Sequence, residues 1–284
     1  MSIRVVTDSS SDLPPQLAST LGIEIVPLTI RFGPDEFAAD ALSAAAFWQR
    51  LRDSDSLPET SAPAAGAFVE RFRSLRDAGA DGIVCVCLSS KLSATLQSAQ
   101  VAAAVVRDDH PSNSFRIEVV DSLTASMGLG ALCIAAAQRA AAGDPLDAVV
   151  TDVHQRRSRT RLFAVLDTLE YLKKGGRVGN AAVLLGSVLS IKPVLEIRDG
   201  VVEAAGKIRT RSRALRLLAE RVAEAPVQSL AVLHGQADDV DELLDLLDPI
   251  VPRDEIVVGD VGPVIGTHAG PGVIGVTFQV REQH

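Results

Sequence analysis

Apolar residues along the chain fall in two kinds of pattern: short compact runs, and longer stretches where they recur every three or four positions. Residues 3–6 and 82–88 are compact and rich in Val, Ile and Cys, which suits strands buried on both faces. Residues 14–21, 44–51, 93–107 and 126–142 carry Ala and Leu at helical spacing, and further strands are expected at 23–30 and 115–120. Strand and helix therefore alternate, which predicts an α/β fold with a parallel, doubly wound sheet. Gly143, Asp144 and Pro145 then mark a turn, and 146–161 becomes strongly charged. The reading is two domains, a doubly wound α/β domain over 1–150 and a mixed α+β domain over 151–284, with a ligand between them.

In the second half, strands are expected at 162–166, 193–198, 201–205, 229–234, 256–261 and 273–279, and helices at 169–174, 211–223 and 240–247. Asp199-Gly200 between two of these strands is a hairpin signal. The uncharged stretch 178–191 is too short for the roughly 18–20 residues that cross a bilayer, so it reads as a buried helix.

Composition narrows the partners. A net charge of -8 and a pI near 5.2 offer nothing to a phosphate backbone or an anionic membrane, so neither nucleic acid nor stable membrane insertion is expected. The first residues run straight into a strand pattern without a secretory signal. Three cysteines cannot all pair, and Cys85 and Cys87 fall on one face of a strand with no local His to complete a metal site. Reduced thiols in a cytoplasmic protein are the expectation, with no metal.

Candidate chemistry gathers in turns. Three hydroxyl-rich segments, 7–12, 89–95 and 121–126, each follow an expected strand of the first half. In a doubly wound sheet, ligands bind at the carboxyl ends of strands, where these turns would meet. Each hydroxyl has a plainer use as a helix cap, Asp12 before Pro14 being one example. Thr60-Ser61 precedes another expected helix, whose free N–H groups suit a carboxylate, while Phe68 and Phe72 lie four apart and read as core.

Lys173-Lys174-Gly175-Gly176-Arg177 lacks the spacing of a phosphate loop and reads as a helix stop, with Arg177 able to face a cleft. His268 sits in a glycine-rich stretch, 266–272, read as a loop where backbone approaches a ligand. A serine hydrolase built from Ser93, His268 and an Asp is an alternative, but no GxSxG elbow is present.

Taken in order, Thr7-Asp8-Ser9, Thr60-Ser61-Ala62-Pro63, Leu88 through Thr95, Asp121-Ser122, Leu169 through Arg177, Ile191-Lys192-Pro193 and His268-Ala269-Gly270-Pro271-Gly272 resemble the DegV family across nearly the whole chain. Members of that family are bacterial fatty-acid-binding proteins, some serving as the acyl-carrying subunit of fatty acid kinase. The resemblance implies a non-catalytic carrier of a long-chain fatty acid, with no cofactor beyond that ligand. Its carboxylate would be held by Thr60 or Ser61 and by Ser93, with Thr267, His268 and Arg177 close by. It also implies docking of the kinase catalytic subunit on a basic surface, for which Lys207, Arg209, Arg211 and Arg213 are candidates. A regulatory lipid sensor without a kinase is a further alternative. Phe163, Leu166, Leu184, Leu185 and Val188 are expected to line the tail tunnel. Ala64 and Ala94 depart from the pattern, standing where the family often has Ser and Gly.

Overall fold

The computed structural model describes residues 2–54, 56–109, 115–185 and 191–282. The first half forms β1 (Ile3–Asp8), α1 (Pro15–Leu21), β2 (Ile23–Val26), β3 (Thr29–Phe32), β4 (Asp35–Ala38), α2 (Ala44–Asp53) and β5 (Glu59–Ser61). There follow α3 (Ala65–Asp77), β6 (Gly82–Cys87), α4 (Thr95–Asp109), β7 (Arg116–Asp121), α5 (Ser126–Ala141) and α6 (Leu146–Arg157). Strands β2-β1-β6-β7 make the expected parallel sheet. Its strands alternate between two cores: Ile83, Cys85 and Cys87 face outward with Phe68 and Phe72 beneath α3 and α4, while Val84, Val86 and Leu88 face inward.

One expectation for this half is corrected. Residues 23–30 are not one strand, because Pro27 has no N–H to continue a ladder, and the chain leaves the parallel sheet after Val26. It enters a separate antiparallel sheet, β4-β3-β5, which with α2 forms an excursion from the first domain. Residue 150 lies inside α6, which runs unbroken across the expected division and packs Leu146, Val149 and Val153 into the inward core.

The second half comprises β8 (Thr160–Val165), α7 (Glu170–Lys174), β9 (Lys192–Arg198), β10 (Val201–Ile208), α8 (Arg211–Ala223), β11 (Val227–His234), α9 (Val240–Leu247), β12 (Val257–Asp260), α10 (Pro263–Ala269) and β13 (Ile274–Val280). Its six strands form one mixed sheet in the order β10-β9-β8-β13-β11-β12. The β9–β10 turn uses Asp199 and Gly200, both at positive φ (49° and 81°), the conformation that a tight hairpin demands and glycine adopts freely. One face of the sheet is covered by α8 and α9, forming a core with Phe163, Val232, Val276 and Phe278. The other face meets the first domain, and Leu195, Val202, Leu233 and Val273 join the inward core there.

In the described part of the stretch, residues 178–185, the buried helix expected over 178–191 is not formed. Residues Gly179–Leu184 make a short 3-10 helix, Val183 is 77% exposed and Leu185 36%. Gly179, at positive φ, and Asn180 beside it break the apolar run at its start, before an α-helical ladder can form. Val188 lies outside the described residues. No described helix is long and apolar enough to cross a membrane.

Candidate functional site

Because β1, β6 and β7 are parallel neighbours, the turns at their carboxyl ends come together as expected. Most of their polar groups hold the fold. Asp8 is fully enclosed and accepts from Ser10 N and Oγ and, at 2.8 Å, from Leu88 N; burial raises its pKa against the pull of those bonds. Asp121 accepts from Ser90 N, Ser90 Oγ and Leu123 N. Asp12 is not the α1 cap. At φ 50° it turns inward, accepting Ser126 Oγ at 2.5 Å and, from the second domain, Gly262 N at 3.0 Å. Burial lifts Asp12 to about 7 against those same bonds.

The turn after β6 reaches further. Ser89 Oγ donates to Gly200 O in the hairpin of the second domain, at 2.9 Å. Ser93 Oγ accepts Thr95 N at the start of α4 and also pairs with Thr95 Oγ1 at 2.8 Å, so it caps a helix while lining an internal cavity. Ala94 is not among the residues at positive φ, so alanine fits this loop without strain.

The cavity lies between the domains and has a volume of about 140 Å³. The first domain contributes Leu28, Thr60, Ala62, Leu88, Leu92 and Ser93. The second contributes the inner face of its sheet, where strand alternation turns Leu162 and Ala164 of β8, Leu195 and Ile197 of β9, Val202 of β10 and Gly275 of β13 toward the first domain. The wall is apolar nearly throughout.

Its polar end is made by Thr60, Ser93, His268 and Arg177. Thr60 Oγ1 and His268 Nε2 share a hydrogen bond of 2.8 Å between residues 208 positions apart. The imidazole is half-buried, its Nδ1 is enclosed and unpartnered, and a β-carbon at Gly175 would collide with that nitrogen. Burial, assisted by the Arg177 charge, lowers the His268 pKa to about 4, so the ring is neutral at pH 7. Arg177 is held by Leu92 O at 3.1 Å and Gly175 O at 2.5 Å. The expected helix stop at Gly175–Gly176 is what brings it here, since α7 ends at Lys174 and the chain turns back.

Other expected site residues fall elsewhere. Ser61, next to Thr60 on β5, faces solvent because neighbours on a strand point to opposite sides. Thr267 Oγ1 donates to Pro263 O one turn back and is occupied within α10. His268 itself is helical rather than in a loop: Pro263 at the first position starts a short helix that Gly270 ends. Leu166 lines the cavity, whereas Phe163 borders it but buries its ring in the outer core, stacked on Phe278. Leu184 and Leu185 are not part of the wall.

Arg211 is not a free surface cation. It clamps Asp239 through two nitrogens (2.6 and 3.0 Å) and Gly272 O at 2.7 Å. Lys207, Arg209 and Arg213 are exposed, and among the described residues no ion pair reaches them. The serine-hydrolase arrangement is not assembled either, since Ser93 pairs with Thr95, His268 pairs with Thr60, and no described carboxylate reaches Nδ1. Sequence reasoning missed the supports: Asp12 bridging the domains, Gly175 beneath the imidazole, and Trp48 of α2, whose ring packs over Gly235 and Gly266. None has a local motif; each is defined by a distant partner.

Fold and site together define a two-domain α/β protein with an apolar interdomain cavity capped by hydroxyls, a neutral imidazole and a guanidinium. The chain belongs to the DegV family, whose description, "Uncharacterised protein, DegV family", is matched over residues 2–281. A DegV domain-containing protein of Streptomyces coelicolor is 37% identical over 98% of this chain and 99% of its own. Among solved structures, a DegV family protein from Thermus thermophilus, described for its fatty acid binding, is 33% identical with a TM-score of 0.88, over 99% of this chain and all of its own. DegV of Bacillus subtilis, described as a fatty acid binding protein, is 27% identical with a TM-score of 0.86, over 99% of this chain and all of its own.

Proposed function

We propose that this protein binds a long-chain fatty acid in the interdomain cavity and presents its carboxylate to a partner kinase for acyl-phosphate formation. The observation that carries the reading is an apolar slot running along one face of a sheet and ending at Thr60, Ser93, His268 and Arg177. Fatty acid binding by the Thermus and Bacillus proteins of the same fold supports it. The tail supplies affinity. At roughly 0.8 kcal/mol per buried CH₂, a chain of about 14–18 carbons offers more than ~10 kcal/mol before association costs.

The head group supplies position. With its proton on Nε2, neutral His268 donates to Thr60, leaving the threonine proton free for a carboxylate oxygen, and Ser93 can donate a second. Each such bond to a charged acceptor is worth about 1.5–3 kcal/mol. In the kinase step a carboxylate oxygen attacks the terminal phosphorus of ATP held by the partner, and the bond to ADP breaks. Lys207, Arg209 and Arg213 form the docking face in this reading. The three buried, unlinked thiols, with Cys85 and Cys87 sulfurs 3.6 Å apart, support a reducing bacterial cytoplasm as its setting.

Native mass spectrometry followed by solvent extraction tests binding, the expected result being one fatty acid per chain. An empty protein that also ignores added long-chain acid would sink the reading. Thr60→Val and Ser93→Ala are expected to lower acyl-phosphate yield with the cognate kinase. Arg209→Glu is expected to lose coupling while retaining lipid, and unchanged coupling would remove the docking face.

A further inference from the structure

Strand β13 divides its side chains cleanly. Ile274, Val276 and Phe278 enter the outer core, so Gly275, Thr277 and Gln279 face the first domain. The register sets Gly275 opposite Ala164, Thr277 opposite Leu162 and Gln279 opposite Thr160. The first row is low, having a glycine beside an alanine, and leaves room for a ligand to pass along the sheet. The last row is closed by polar bonds, with Arg156 donating to Gln279 at 3.1 Å and Gln279 to Thr160 at 3.4 Å.

Thr277 stands between them. It is 5% exposed and borders the cavity, and among the described residues no hydrogen bond reaches its hydroxyl. A simple alkyl tail lying against it would leave that hydroxyl dehydrated and unpaired, which is unfavourable. An oxygen on the tail at that depth would satisfy it. Val273, four residues beyond the helix that carries His268, and Thr277 both line the cavity, and four residues of strand set Thr277 roughly 13 Å further along. In an extended long-chain acid that depth falls in the middle of the chain.

We propose that the cavity takes fatty acids bearing a hydroxyl or oxo group at mid-chain, with Thr277 Oγ1 as the hydrogen-bond partner of that oxygen. This rests on the fatty acid reading and specifies its substrate class. The test compares binding of stearic acid and of hydroxystearic acids substituted at carbons nine to twelve by the full-length protein, Thr277→Val and Thr277→Ser. Valine keeps the shape and removes the hydroxyl. At least one hydroxy acid is expected to bind Thr277→Val about tenfold more weakly, the size of one hydrogen bond. Stearic acid should bind the valine variant as well as or better than the wild type, and Thr277→Ser should keep the hydroxy-acid preference.

Equal weakening of both acids would reduce Thr277 to a wall residue, and no change in any hydroxy acid would overturn the inference outright. Stearic acid binding without discrimination defeats this inference alone. Failure of every acid to bind the wild type defeats the fatty acid reading with it.

Discussion

Asp12 joins three segments with one carboxyl group, and its elevated pKa has a signed consequence. The unfolded chain gives up this proton near pH 4, whereas the folded chain keeps it to about pH 7. This group's contribution to stability is therefore full below pH 4, falls as pH rises through that window, and is constant above it. Asn reproduces the protonated shape without titrating. Urea unfolding at pH 5 and pH 8 should show a smaller loss of stability with rising pH in Asp12→Asn than in the wild type; equal losses would refute the assignment. For His268 the sign is reversed. Its ring should stay neutral down to about pH 4, which an imidazole NMR titration will report, and a midpoint near 6.5 would contradict its burial. Thr60, Ser93, Arg177 and His268 were legible as chemical types in sequence, since hydroxyls and an imidazole beside glycines suit an anion. Asp12 was not, because it lies 250 positions from Gly262 and its nearest signal, Pro14, pointed to an ordinary cap.

At the scale of elements, the excursion β3 to β5 is fastened to the second domain by α2. Trp48 and Phe47 pack against the backbone of Gly266, and Arg52 bonds Gln236. Trp48→Ala should cost about 3–5 kcal/mol in denaturant unfolding, as for large buried aromatics, and a cost below about 1 kcal/mol would mean that the ring is not a fastener. The long periodic helices α4, α5 and α8 and the parallel strands were readable because burial on two faces leaves an unambiguous pattern. The four-residue strands β3 and β4 were not, since so few residues show no alternation and Pro27 hides the change of sheet. Helix α10 escaped for a related reason: seven residues containing a proline and a glycine carry almost no helical signal, and contacts with α2, β5 and α7 hold it instead.

For the whole molecule, a ligand that fills the interdomain cavity binds only the assembled pair of domains. Folding stability should therefore rise with fatty acid concentration, by about 2.7 kcal/mol at a hundredfold excess over Kd. A melting temperature indifferent to a long-chain acid would be incompatible with occupancy of this cavity. The two-domain plan was legible because both halves alternate strand and helix, but the cavity was not, because strand parity gives direction without depth. The hydrogen bond between Thr60 and His268 joins the domains at the point where a head group would sit. On the proposed reading, an arriving carboxylate would take the threonine proton while the threonine oxygen still accepts from His268, so loading would extend that single bond into a chain shared by both halves of the molecule. A partner spanning both halves would then sense a full carrier from a full-empty difference in stiffness, without reaching the acid itself.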